Sequence, residues 1–281
     1  MTAKVDSREA GLVAGLHVAH FFLGSRDLHY GLWEDDIELC VQNLPIAQKR
    51  YSDFLIGHIP ADVERVLDVG CGAGGVATEL RARGYQVEGV SPSPLLSDAA
   101  QQLAGADFRI HQGRFEDLNF AEDDKFDLVL FSESFQYIDL DRVFENARKR
   151  LNPGGHILIC DFFKSGAPGR SVIGGGHSLR KFNAALQASG LEVLEDKDIT
   201  RETAPNLDLV EQMGRELLLP TFKLIGYTFS SNHPWLAKLV RWKYAKKIRK
   251  IERKYTSGAR NGASFALHKV YRLLLLRVPE E

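Results

Sequence analysis

The sequence predicts an α/β fold, a parallel sheet carrying helices on both faces. Three observations lead there. From Glu64 to Glu202, short apolar runs alternate with helix-like segments, and units of this length imply right-handed crossovers between parallel strands. The first of those runs ends in a glycine-rich turn, Gly70-Cys71-Gly72-Ala73-Gly74-Gly75. The composition, 44% hydrophobic and 26% charged over 281 residues, excludes long disorder, collagen and coiled-coil rods. The length fits one large domain or one domain with a substantial cap.

Each element has its own signal. Val66 to Val69 is an apolar run that stops at Gly70, and Gly74 to Arg83 reads as a helix stopped by Gly84. Gln86 to Val90 is a second strand, and Pro94 to Leu103 a helix closed by Gly105. Asp107 to His111 reads as the third strand and Phe126 to Phe131 as the fourth. Asp139 to Leu151 reads as a helix ended by Asn152-Pro153-Gly154-Gly155. His156 to Phe163 is the fifth strand, Ser178 to Ser189 a helix capped by Gly190, and Leu191 to Asp198 the sixth strand. The run Gly174-Gly175-Gly176 marks a flexible loop after the fifth strand. Residues 1 to 60 look helical, with apolar positions spaced three and four apart around Ile37, Cys40, Val41 and Leu44. Residues 203 to 262 look helical and basic, and Val270 to Val278 reads as a last strand.

Charge is unevenly placed. The formal net charge is −1, yet Pro220 to Glu281 carries 14 Lys and Arg against 3 Asp and Glu. The rest of the chain carries 22 against 34. Leu236, Val240, Tyr244, Ile248, Ile251 and Tyr255 form an apolar stripe among those basic residues. One reading packs this stripe on the core. Another rests it on anionic lipid. A nucleic-acid surface is disfavoured by the acidic body and by the lack of an RNA-binding module. Upstream, Leu217 to Phe222 is apolar and interrupted by the helix breaker Pro220. Cys40, Cys71 and Cys160 show neither metal-ligand spacing nor a disulfide framework, which points to a reducing, cytoplasmic setting. No run of 18 apolar residues and no basic-then-apolar leader is visible, so neither a membrane span nor a signal peptide is expected.

The turn after the first strand satisfies two spacings. Gly70, Gly72 and Gly75 fit GxGxxG, whereas Gly70, Gly72 and Gly74 fit GxGxG. Asp68 helps to decide between them. A carboxylate at the strand tip repels a pyrophosphate and attracts an ammonium, such as the amino end of S-adenosylmethionine. A dinucleotide site also wants an acid at the end of the second strand, where this chain has Ser91.

At this point a resemblance is plain. VLDVGCGAGGVATEL resembles the first motif of class I S-adenosylmethionine-dependent methyltransferases, FDLVLFSESFQYI their fourth-strand motif and LNPGGHILICDFF their fifth-strand motif, in order and across roughly residues 60 to 200. The resemblance implies a Rossmann-like seven-stranded sheet whose last strand is antiparallel. It implies S-adenosylmethionine as cofactor, with contacts at Asp68, Gly70, Cys71, Gly72 and Gly74. Ser91, in GVSPSP, is similar to the cyclopropane-synthase and tocopherol-methyltransferase branches, and stands where other members hold the ribose with an acid. Arg114 departs from the acid usual near the adenine, leaving Phe115 to stack on the purine with Glu116 nearby. Ser132 and Glu133 match the acid-containing stretch of tocopherol and sterol methyltransferases, which makes Glu133 the first catalytic candidate. His29-Tyr30-Gly31-Leu32-Trp33 resembles the Tyr-Gly-x-Trp stretch of cyclopropane-synthase-like members, whose tyrosine closes over the methionine end, so Tyr30 is both a catalytic and a cofactor candidate. His177 in the glycine loop is a candidate proton acceptor. No metal set is visible: His17 and His20 lack a third ligand.

The expected organisation is an N-terminal helical lid (1–60), a cofactor-binding core (61–202), a basic helical insert between strands six and seven that caps the acceptor (203–262), and the last strand (263–281). The expected partner is a small, largely apolar acceptor, methylated at carbon or oxygen, with peripheral contact at an anionic membrane through residues 236–255. A nicotinamide-dependent oxidoreductase and a non-catalytic cofactor-binding scaffold remain the alternatives.

Overall fold

The computed structural model describes residues 7–121, 124–169, 171–256 and 258–279; the side chains of Ser7, Arg8, Lys247, Lys250 and residues 251–256 lie outside that set, and with them the Ile251 and Tyr255 end of the apolar stripe. Seven strands form one sheet: β1 (Arg65–Val69), β2 (Gln86–Ser91), β3 (Ile110–Gln112), β4 (Phe126–Ser132), β5 (Leu151–Lys164), β6 (Glu192–Asp198) and β7 (Lys269–Arg277). Their order is 3-2-1-4-5-7-6. The first five are parallel, and β7 runs antiparallel between β5 and β6. The strand order reverses between β1 and β4, where Asp68 pairs with Leu130. In a sheet of this kind the crevice beyond the carboxyl ends of those two strands is where ligands bind.

The continuous apolar runs of the central strands follow from burial on both faces. Along β1 and β4 the pleat sends Val66, Leu128 and Leu130 into one core cluster, and Leu67, Val69, Val129 and Phe131 into the other. Helices α2 (Leu44–Gly57), α3 (Gly75–Ala82) and α4 (Pro94–Ala104) contribute to the first cluster. Helices α5 (Val143–Arg150) and α6 (Leu179–Ser189) cover the second. The remaining helices are α1 (Ser7–Leu23), α7 (Thr200–Thr203), α8 (Asn206–Met213), α9 (Leu219–Asn232), α10 (Pro234–Thr256) and α11 (Gly262–His268).

Several expectations need correction. Ile37 and Cys40 lie in turns and Val41 in a short 3₁₀ turn, so the regular helix begins only at Leu44. The backbone of residues 24–40 is spent instead on contacts to α2 and α8. Leu32 N–H donates to Ala47 O at 2.8 Å, and Asn206 Oδ1 accepts from Gly31 N–H and Trp33 Nε1. The third strand is shorter and later than read, and α5 starts at Val143 rather than Asp139. Asn152-Pro153-Gly154-Gly155 is not a loop but the opening of β5. Pro220 does not end the helical path. A π-helical turn, Gly214–Leu218, precedes it, and Pro220 sits in the first turn of α9, where its missing N–H costs little. The triple-glycine loop is anchored, because Lys269 Nζ donates to the carbonyls of Gly174 and Gly175.

Gly74 shows why the turn after β1 needs glycine. Its φ is +86°, and a Cβ there would stand 2.9 Å from the Ala100 Cα of α4. Gly74→Ala is expected to destabilise the fold by roughly 1–3 kcal/mol. Chemical denaturation measures this, and an unchanged midpoint would contradict the packing described.

Candidate active site

The carboxyl ends of β1 and β4 open into a cleft of about 330 Å³. Gly70, Cys71, Gly72, Ala73 and Gly75 form its floor. Ser91 and Ser93 close one side and Ser132 and Glu133 the other, while α1 supplies Glu9 and Leu12 across the top. Ser93 Oγ donates to Glu9 Oε1 at 2.5 Å, which ties α1 to the cleft rim. A wider depression of about 620 Å³ lies among α7, α8 and α11, away from the ends of the parallel strands.

Asp68 is the electrostatic centre of the cleft. It is buried, and its Oδ2 has no hydrogen-bond partner. Burial pushes its carboxyl up to about 7, with the nearby His29 pulling the other way. A buried, unpartnered carboxylate beside glycine-rich backbone fits a cationic ammonium and disfavours a diphosphate.

Across the cleft stands Glu133, the one positive-φ non-glycine among the described residues, at φ 54°. That backbone conformation turns the chain sharply at the end of β4. Glu133 N–H donates to Cys160 O at 2.9 Å. Its Oε1 accepts from Tyr30 N–H and from Tyr271 Oη, each at 2.8 Å. Tyr51 Oη lies 3.1 Å from both Tyr271 Oη and Ser132 Oγ. Tyr271 has a single hydrogen, shared between the carboxylate and Tyr51 Oη, while Tyr51 Oη donates to Cys160 O at 3.4 Å. Burial raises the Glu133 carboxyl above its ordinary value, against the pull of His29 and these hydrogen bonds.

His29 lies between the two carboxylates. Its ring stacks on Tyr51 at 4.5 Å, Nδ1 donates to Tyr30 O at 2.9 Å, and Nε2 lies 3.5 Å from Asp27 Oδ1. Burial lowers its affinity for a proton, but Asp27, the Tyr30 carbonyl and Glu133 together outweigh that and raise it. Gln48 Nε2 fixes the segment by donating to the carbonyls of Asp27 and His29.

Of the residues singled out in the sequence, Asp68, Gly70, Cys71, Gly72, Ser91, Ser132 and Glu133 meet around this cleft. Cys71 is a buried thiol raised by burial and by Asp68. Ser91 Oγ is engaged with Ser93, accepting from its N–H and donating to its carbonyl. Five others are placed elsewhere. Gly74 packs against α4, and Gly75 takes its place at the cleft. Phe115 is a core ring against Phe131 and Phe120, not a wall of the cleft. Glu116 is buried and accepts from Arg114 and from Asp139 N–H. His177 is turned away, with Nε2 3.1 Å from Phe135 O. Tyr30 reaches Glu133 through its backbone only. Its ring packs beside Phe162, Phe265 and Tyr271, so Leu28 and His29 line the cleft in its place. Gly31 explains how this segment fits, since a Cβ there would meet Ala47 Cβ at 2.5 Å. Asp27, Tyr51 and Tyr271 were signalled by no motif, and His29 only as the neighbour of Tyr30.

The comparisons with known proteins agree with this geometry. A family model described as a methyltransferase domain matches residues 67–159, from β1 into β5. Methyltransferase GfsG of Streptomyces halstedii is 29% identical over 221 residues, 69% of this chain and 76% of that protein. Residues 67–159 form a methyltransferase domain of the class I, S-adenosylmethionine-dependent kind. A probable phthiotriol/phenolphthiotriol dimycocerosates methyltransferase 2 of Mycobacterium ulcerans is 32% identical over 168 residues, 57% of this chain and 60% of that one. Two solved structures share the fold of this methyltransferase. The [4+2]-cyclase SpnF aligns with a TM-score of 0.69 at 19% identity, covering 98% of this chain and 96% of that one. Geranyl diphosphate C-methyltransferase from Streptomyces coelicolor A3(2), solved with S-adenosyl-L-homocysteine, aligns at 0.66 and 17%, covering 98% and 99%. The methyltransferase is an enzyme that uses S-adenosylmethionine. Asp68 and the glycine turn are the residues that fit the cofactor's amino acid end.

Proposed function

We propose that the enzyme methylates a small, largely apolar acceptor at oxygen or carbon, with Glu133 taking the proton released. S-adenosylmethionine supplies an electrophilic methyl group when bound. For each methyl gained, a hydroxyl acceptor must lose its O–H proton, and an alkene acceptor must lose a C–H proton from the cation formed. A buried carboxylate with raised proton affinity, at the end of β4, is suited to receive that proton in either case. The observation that carries this reading is the placement of Glu133: strained in backbone, held through Oε1 by Tyr30 N–H and Tyr271 Oη, and facing the same cleft as Asp68. Leu12, Leu28, Val76 and Leu96 line the same cleft and favour an apolar acceptor. Alignment and exclusion of water supply the rest of the rate.

Two experiments bear on this. Incubating the enzyme with lipid and metabolite extracts and methyl-labelled cofactor is expected to label a weakly polar product on oxygen or carbon. Label appearing only on amines would contradict the reading. Tyr271→Phe removes a hydrogen bond that holds the Glu133 carboxyl down. The acid limb of the kcat profile is therefore expected to move to higher pH, with about 1–3 kcal/mol lost in folding stability. An unmoved limb would separate Tyr271 from the chemistry.

A further inference from the structure

In the basic insert, Ala204 and Leu207 join the core, but α9 and α10 leave most of their large apolar residues exposed. Helices α9 and α10 pack chiefly on each other and on the preceding π-turn. In α9, Phe222, Ile225 and Phe229 fall at i, i+3 and i+7, and all three are exposed. In α10, Trp235, Leu239 and Trp242 fall at i, i+4 and i+7, and the two tryptophans are 70% and 79% exposed. Val240, Tyr244 and Ile248, the sequence's own stripe, are exposed as well. The pair of helices, residues 219–256, carries ten Lys and Arg against the single acid Glu252. No helix among the described residues is long and apolar enough to cross a membrane.

We infer that the α9–α10 hairpin is a peripheral docking surface for an anionic phospholipid bilayer. Tryptophan and tyrosine rings seat at the boundary between headgroups and acyl chains, and lysine and arginine around them meet the negative surface. Charge decides against a second copy of this chain as occupant. Two such hairpins face to face would oppose ten basic residues with ten, whereas an anionic bilayer complements them. At about 1.5 Å per residue, the 23 residues of α10 give roughly 35 Å of helix that can lie along a surface. This inference does not depend on the acceptor proposed above, since binding to vesicles requires no methyl transfer.

The test uses the full chain and vesicles of phosphatidylcholine with and without phosphatidylglycerol. Sedimentation is expected to be at least about tenfold stronger with the anionic vesicles at about 0.1 M salt, and to weaken as salt rises. Only three tryptophans are present, and Trp33 is buried, so emission from Trp235 and Trp242 is expected to shift to the blue on binding. Replacing Lys238, Arg241, Lys243 and Lys246 together by Glu is expected to remove the preference. Trp235→Ala with Trp242→Ala is expected to remove the spectral shift and weaken sedimentation, and both variants should keep S-adenosylhomocysteine binding as the sign of an intact core. Equal binding to neutral and anionic vesicles, no binding to either, or a concentration-dependent dimer that shields the two tryptophans would overturn the inference.

Discussion

Glu133→Gln is expected to lower kcat for methyl transfer by about 10²–10⁴-fold. Affinity for S-adenosylhomocysteine should stay within about threefold of native, a difference under 1 kcal/mol. The separation follows from geometry. Gln matches Glu in size and its carbonyl oxygen, Oε1, can still accept from Tyr30 N–H and Tyr271 Oη, so the strained turn after β4 persists. What disappears is the capacity to take a proton. The native enzyme should lose rate as pH falls through the raised Glu133 pKa, because the base must be ionised. The variant should lack that limb. Equal kcat in both proteins would reduce Glu133 to a structural acceptor for Tyr30 and Tyr271.

Asp68→Asn is expected to act in opposite directions on stability and on binding. The Asp68 carboxyl is raised from 3.8 to about 7 by burial. A group raised in this way lends its full stability below the unfolded value and loses it as pH climbs through the folded one. Stability of the ligand-free enzyme should therefore decline between about pH 4 and 7. Three units correspond to on the order of 4 kcal/mol. Above pH 7, Asn removes the cost of a buried unpaired charge, so the ligand-free variant should melt higher than native. S-adenosylmethionine should bind at least about tenfold more weakly to it, since its ammonium then meets a neutral amide. Thermal melts with and without the ligand read both effects. A variant less stable than native at pH 8 would show that Asp68 is a structural charge.

The core of the fold was legible because β1, β4, β5 and β7 are mostly apolar runs, with Gly70 closing β1, and the central strands are buried on both faces. The segment from Ile37 to Val41 misled because a turn can place apolar residues three and four apart just as a helix does. The site was half legible. Asp68 and the glycines announce themselves by spacing, and Glu133 by its place after β4. His29 was overlooked in favour of its neighbour Tyr30, and in extended chain a shift of one residue changes the face a side chain occupies. Phe115 follows a strand of only three residues, so the chain turns early and its ring enters the core. Tyr271 lies 138 residues from Glu133 inside an otherwise apolar strand, and only the antiparallel insertion of β7 beside β5 brings it there. The exposure of α9 and α10 likewise could not be read from their periodicity, which suits a core as well as a lipid surface.

Calorimetric titration with S-adenosylmethionine and with its analogue lacking the amino group tests the role of Asp68 most directly. Native enzyme should favour the amine-bearing ligand by at least about tenfold, or about 1.4 kcal/mol, and Asp68→Asn should show almost no preference. A preference of the same size in both proteins would mean that the ammonium is held elsewhere.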